Sequence, residues 1–275
     1  MLTEERAAPA ASGEPSGLPP LDLRPDSTAL FLDCDGTLAE IVDTPSAAFV
    51  PPPTLDVVRR LHALCGGALA IVSGRSLQDV DRLFAPLVLP VAGTHGMERR
   101  DATGSLHLPT VDRSLLAAAT DQLDAFAGTH PCLIVERKPS AVALHYRQRP
   151  DLADAALSFA RSVAARHAPI QLQLGKAVAE LGFGRATKAD AIEAFMDEAP
   201  FGGRKPIFIG DDLTDEHGFE AVARMRGIAI KVGPGPTAAG WRLADPPAVA
   251  RYLERLAMRW ATDSLPEETT GRPGS

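Results

Sequence analysis

Two aspartates one residue apart, Asp33 and Asp35, precede Gly36 and Thr37 at the end of a short apolar run, Ala29-Leu30-Phe31-Leu32. A carboxylate can attack phosphorus and form an acyl phosphate, which splits one hydrolysis into two displacements, and Asp33 is the candidate nucleophile. Asp35 can project into the same site, protonate a leaving alkoxide and then accept a proton from the attacking water. Gly36 lets the backbone turn and offers an N–H to phosphate, and Thr37 adds a hydroxyl. An acidic turn after a strand has the same composition, and this motif by itself leaves both readings open.

A second acidic loop, Gly210-Asp211-Asp212-Leu213-Thr214-Asp215-Glu216, follows another apolar run. If the two runs are neighbouring strands, Asp33, Asp35, Asp211, Asp212 and Asp215 converge, and so many like charges require a cation. Oxygen ligands without a His or Cys cluster point to a hard ion, Mg2+. The alternative is a solvated helix N-terminus, for which Thr214, Asp215 and Glu216 are good first-turn residues. A phosphoryl group also needs donors. Ser73 and Gly74 stand at a strand end before a helix and can offer a hydroxyl and a backbone N–H. Lys188, at the start of a capped helix, opposes the helix dipole, which makes a ligand role more plausible, although a solvated surface position remains the commoner fate of a lysine.

The surrounding pattern places these residues. Apolar runs ending in polar loops, at 28–32, 68–72, 87–92, 206–209 and 228–232, alternate with helical spacing and predict an α/β, Rossmann-like parallel sheet with its site at the carboxyl ends of the strands. Thr54 is expected to cap one helix after Pro51-Pro52-Pro53, Ser76 with Asp79 to form a capping box for the next, and 248–260 to make the last helix. Between them lies a different rhythm. Helical stretches at 112–126 and 151–167 alternate with paired strands at 133–136 and 141–146, then 170–174 and 177–181, so an inserted α+β antiparallel unit is expected. The division is a disordered tail over 1–26, a core over 27–98 and 183–262, an inserted cap domain over 99–182 and a disordered tail over 263–275.

The chain of 275 residues carries a net charge of −7 and three scattered cysteines, Cys34, Cys65 and Cys132. No nucleic acid or membrane partner is expected, since that backbone or headgroup attraction needs clustered cations. The cysteines have neither metal-ligand nor disulfide spacing, and a cytoplasmic location and a monomer fit best. Cys34 is expected to pack against the core.

Asp33-Cys-Asp-Gly-Thr-Leu38, Val72-Ser-Gly-Arg75, Lys188 and Gly210-Asp-Asp-Leu-Thr-Asp-Glu216 resemble, in order, the four motifs of haloacid dehalogenase-like phosphatases. The inserted unit then resembles the cap those hydrolases carry. Gly93-Thr-His-Gly-Met-Glu98, Glu136-Arg-Lys138 with His145-Tyr-Arg147, and Gly175-Lys-Ala-Val-Ala-Glu180 resemble trehalose-6-phosphate phosphatases. That resemblance implies Mg2+-dependent hydrolysis of a phosphorylated disaccharide. Asp33 would be the nucleophile, Asp35 the acid/base, and Ser73 and Lys188 the phosphoryl holders. Asp211 would complete the Mg2+ site with Asp33 and the Asp35 carbonyl, with Asp212 and Asp215 beside it. Gly36, Thr37, Gly74, Arg75, His95 and Glu98 would meet the substrate from the core, and Lys138, His145, Arg147, Lys176 and Glu180 from the cap. The sequence departs from the family at Gly182-Phe183, where Arg-Pro is frequent, and at Ala189, where Gly is usual. Phosphatases of the same mechanism acting on sucrose phosphate or mannosyl-3-phosphoglycerate, and a non-catalytic sugar-phosphate sensor, are the competing expectations.

Overall fold

The computed structural model describes residues 18–183 and 186–263. The tail expectations for 1–17 and 264–275 lie outside these residues. Strand β1 (Thr28–Leu32) is buried along its whole length, as an apolar run covered on both faces must be. Around it stand β2 (Leu69–Val72) and β3 (Val91–Gly93) on one side, and β10 (Lys205–Gly210), β11 (Ile228–Val232) and β12 (Trp241–Leu243) on the other, all parallel. The order reverses between β1 and β10, and there the loops at the strand ends diverge and leave a crevice.

Register decides what fills that crevice. Leu32 pairs with Ile209, and the Asp33 N–H donates to the Ile209 carbonyl at 2.9 Å, so both acidic loops leave the sheet side by side. Helices α1 (Pro52–Leu64), α2 (Leu77–Phe84), α5 (Lys188–Met196), α6 (Asp215–Arg224) and α7 (Pro246–Asp263) accompany this sheet. One apolar core runs through it, with Phe31 against Phe201 at 5.5 Å and Trp260 fully buried.

The inserted unit has its own sheet, ordered β6 (Ile134–Arg137), β7 (Ala141–His145), β9 (Val178–Phe183) and β8 (Ile170–Gly175), antiparallel throughout. Helices α3 (Arg113–Gly128) and α4 (Ala153–Arg166) lie against it and close a second core.

Several boundaries differ from the sequence expectation. Residues 99–107, assigned above to the cap, instead pair onto β3 as β4 (Glu98–Arg100) and β5 (Leu106–His107), an antiparallel extension of the large sheet. Their short alternation gives no hint of which sheet they join. The third parallel strand is only Val91–Gly93, because Pro90 removes a ladder donor from the run. Helix α1 begins at Pro52 rather than behind Thr54: a proline in the first turn loses only an N–H that has no intrahelical partner. Residues 18–26, placed in a tail, lie against α7, where Tyr252 Oη donates to the Pro20 carbonyl and Trp260 Nε1 to that of Leu23. Leu23 is buried there, so two aromatic donors and an apolar seat offset the ordering cost.

Candidate active site

At the crevice Asp33 is buried, and Lys188 Nζ stands 2.7 Å from Asp33 Oδ1 and 2.6 Å from Asp215 Oδ1. Lys188 reaches this point because α5 starts at the cleft floor, fixed by a capping box in which Thr187 and Asp190 satisfy each other's backbone donors. Asp33, Asp211 and Asp215 each bring a carboxylate oxygen into a group within 4.8 Å of one another. Burial pushes the Asp33 carboxyl well above the ordinary carboxylate range; Lys188 opposes the shift, and Asp215 and Asp211 add to it. Burial, then Asp215, pushes Asp211 up to about 6. Burial alone would lower the Lys188 ammonium, but Asp215 and Asp33 outweigh it and hold its proton more tightly than usual.

Three buried or half-buried carboxylates face the buried Lys188 ammonium and the exposed Lys176, whose Nζ lies 3.4 Å from Asp211, and an excess of negative charge remains among them. The donor set is all oxygen, which fits a hard divalent cation. Gly36, with φ of +77°, passes so close that a Cβ there would sit 2.1 Å from Asp211 Oδ2, so only glycine lets the two acidic loops approach. Lys231, from the buried strand β11, donates to the Asp211 carbonyl from below. Sequence inspection missed Lys231; its signal was a lysine inside the apolar strand Ile228–Val232.

Two more of the aspartates expected near the metal turn their side chains elsewhere, although for Asp35 the expected ligand is its backbone carbonyl. The Asp35 side chain turns to Arg75, accepting from Nε and Nη2 at 2.7 Å each. Asp212 accepts from the Lys176 backbone N–H at 3.1 Å and from the N–H of Leu213 at 2.8 Å. Each therefore has donors of its own that draw it away from the three-carboxylate group.

Ser73 and Gly74 follow β2 and line the same cleft, with His95 packed so tightly on Gly74 that a Cβ there would lie 2.7 Å from its ring. His95 adopts φ of +58°, which aims the ring inward, and its Nδ1 is buried without a hydrogen-bond partner among the described residues. Burial, reinforced by Lys138 and Lys188, keeps this imidazole well below its ordinary pKa. Thr37 is fully buried behind the acidic turn, and its hydroxyl also lacks a partner among the described residues. Cys34 packs in the core, where burial raises its thiol.

The upper wall comes from the inserted unit. Lys138, His145, Arg147, Lys176 and Glu180 all line the cleft, together with Glu136. Lys138 pairs with Glu180, both buried, and donates to the Gly74 carbonyl at 2.6 Å. Glu136 accepts from His145 Nε2 at 2.6 Å; burial opposes ionisation, but His145 and Lys138 win and hold Glu136 down at about 2. Lys176 Nζ lies 3.4 Å from Asp211 Oδ2, its tight β8–β9 turn carried by Ala177 at φ of +60°.

Glu98 departs from its expected place. One oxygen accepts from Ser140 Oγ at 2.8 Å and the other from the Leu77 N–H at 3.1 Å, so Glu98 fastens the inserted unit to α2 and does not line the cleft. Arg75, by contrast, does line the cleft, and each of its three nitrogens donates to a protein group. Gly182, at the departure from the family pattern, packs on Met97, whose methyl would meet a Cβ at 2.8 Å; a larger residue there needs a different neighbour.

The cleft thus combines a buried nucleophile-type carboxylate, a fixed ammonium, a cation-suited acidic group and a polar upper wall. The sequence profile described as trehalose-phosphatase matches residues 31–247. Over 228 residues the chain is 43% identical to the trehalose-6-phosphate phosphatase of Escherichia coli strain K12, which spans 83% of this chain and 86% of that protein. A solved structure of a trehalose-6-phosphate phosphatase related protein superposes with a TM-score of 0.69 at 26% identity, covering 86% of this chain and all of that one, 100%. A haloacid dehalogenase-like hydrolase from Bacillus subtilis shares the fold alone, with a TM-score of 0.56 at 17% identity over 82% of this chain and 98% of that one.

Proposed function

From its membership of the trehalose-phosphatase family, to which this chain belongs, we propose that it hydrolyses trehalose 6-phosphate to trehalose and inorganic phosphate through an aspartyl phosphate on Asp33. The observation that carries the reading is the buried Asp33 carboxylate held 2.7 Å from Lys188 beneath a wall of sugar-suited polar side chains.

Asp33 attacks phosphorus in line with the ester oxygen. The P–O ester bond breaks, and Asp35 gives its proton to the departing sugar oxygen. Water then attacks the acyl phosphate, losing a proton to Asp35, and the Asp33–phosphorus bond breaks to release phosphate. Lys188 and the Ser73 hydroxyl face the phosphoryl oxygens, where negative charge spreads in the transition state. Asp33, Asp211 and Asp215 would hold Mg2+. When bound, the ion supplies positive charge against those oxygens. Lys138, His145, Arg147, Lys176 and Glu180 offer donors and acceptors to hydroxyls, and by lying over the core they would limit the access of bulk water while the sugar departs.

Rapid quenching during turnover followed by borohydride reduction tests the intermediate, since reduction of an acyl phosphate at position 33 leaves homoserine there. Peptide mass analysis should find that change at Asp33. An unmodified Asp33 throughout turnover would overturn the covalent route.

A further inference from the structure

We propose that Arg75 is a positioning residue that acts through Asp35, fixing the acid/base carboxylate and tying it to the segment that rims the cleft. The proposal rests on the phosphoryl-transfer reading above. Arg75 is 7% exposed, and its Nε and Nη2 each donate to one oxygen of Asp35 at 2.7 Å. Such a paired fork fixes the plane of a carboxylate as well as its place. Nη1 donates to the Pro45 carbonyl at 3.0 Å, and Ile41, Val42, Asp43 and Pro45 line the mouth of the cleft. One guanidinium therefore joins the strand-end turn after β2, the carboxylate and the rim.

The Asp35 side chain is 39% exposed, so without that fork nothing among its described partners keeps it from rotating toward solvent. A direct phosphate contact by Arg75 is a poorer account of this geometry. Its Nε–H and one N–H of each terminal nitrogen already donate within the protein, which leaves a single N–H on Nη1 and on Nη2 and no free fork for a phosphate, whereas Lys188 and Ser73 stand at the cleft floor.

The two roles separate by leaving group. A sugar alkoxide needs a proton as it departs; dinitrophenolate does not. Because Asp35 also serves the later water attack on either ester, the comparison is made in kcat/KM, which reports only phosphoryl transfer to Asp33: Arg75→Gln should lower it on trehalose 6-phosphate by about 30-fold or more, part of the full worth of a general acid. On dinitrophenyl phosphate the loss of kcat/KM should stay within about 3-fold, and inhibition by inorganic phosphate should weaken no more than that. On an Asp35→Asn background, Arg75→Gln should add no further loss, because the two residues act as one unit. Arg75→Lys, which keeps the charge without the fork, should show the same split and serves if the glutamine variant does not fold.

Equal losses on both esters, a parallel loss of phosphate inhibition, or independent losses in the double variant would overturn the proposal. If the wild type leaves trehalose 6-phosphate intact but cleaves another sugar phosphate, the substrate reading fails. The leaving-group comparison on that ester then judges Arg75 separately.

Discussion

Lys188 and Asp33 lie 155 residues apart in the chain, yet their side chains meet at 2.7 Å inside the protein. The contact is the centre of a small charge network, because the same ammonium also reaches Asp215 at 2.6 Å. Removing one partner of a buried pair leaves an uncompensated charge. Lys188→Met should cost roughly 3 kcal/mol in urea unfolding of the metal-free protein. It should also lower phosphate release by about 100-fold or more, the scale of one lost transition-state charge partner. Wild-type stability and turnover in that variant would show that Lys188 is a bystander.

Asp33, Asp211 and Asp215 crowd within 4.8 Å. A divalent ion bound there should stabilise the fold, by about 2.7 kcal/mol at a hundredfold excess over Kd. Calorimetric melting with and without Mg2+ should show the rise, and chelation should abolish phosphate release. Asp211→Asn should blunt both effects. An identical melting curve with and without the ion, together with full turnover in chelator, would remove the metal from the account.

Lys138 and Glu180 are buried together between the inserted unit and the core. Lys138→Met should destabilise by about 3 kcal/mol, since it strands Glu180 and also abandons the Gly74 carbonyl. Adding Glu180→Met should recover most of that loss, because two apolar residues of similar size cost little where a lone charge costs much. Chemical unfolding of the single and double variants decides it. A double variant no more stable than Lys138→Met would mean that the pair is not coupled.

His95 gives a pH dependence of definite sign. Its ordinary value is 6.5, and burial, with Lys138 and Lys188 adding repulsion, holds the folded value well below that. Below 6.5 the unfolded chain binds a proton that the folded protein refuses, so stability is complete above that pH and is lost as the pH falls. The slope for one such proton approaches about 1.4 kcal/mol per pH unit. His95→Asn suits the left-handed backbone at this position and should flatten the slope between about pH 6.5 and pH 5. An unchanged slope would place the titration elsewhere.

Much of this site is legible in the sequence. Asp33 and Asp211 each follow an apolar run, and parallel strands deliver their loops to one edge. Lys188 is marked by Thr187 and Asp190, whose capping pattern starts a helix at a place where a lysine is electrostatically unwelcome. What sequence cannot supply is direction. Asp35, Arg75, Asp212 and Glu98 sit in motifs that suggest ligand contacts, but each turns to a donor or acceptor brought by a distant segment. Arg75 is claimed by Asp35 and Pro45, Asp212 by Lys176, and Glu98 by Ser140 and Leu77.

The fold shows the same division. Strand β1 announces itself by unbroken apolar burial, whereas β4 and β5 join the large sheet through pairing with β3 that no local pattern specifies. Residues 18–26 continue a stretch rich in Pro, Ala, Ser and Gly and so read as a tail, but Leu23 and two aromatic donors from α7 suffice to seat them.

The central claim concerns the sugar, and initial rates of phosphate release across phosphorylated disaccharides and related sugar phosphates test it most directly. With Mg2+ present, trehalose 6-phosphate should give the highest kcat/KM, above sucrose phosphate and mannosyl-3-phosphoglycerate, and Asp33→Asn should abolish the release. A higher kcat/KM on either competitor, or undiminished release by Asp33→Asn, would contradict the account.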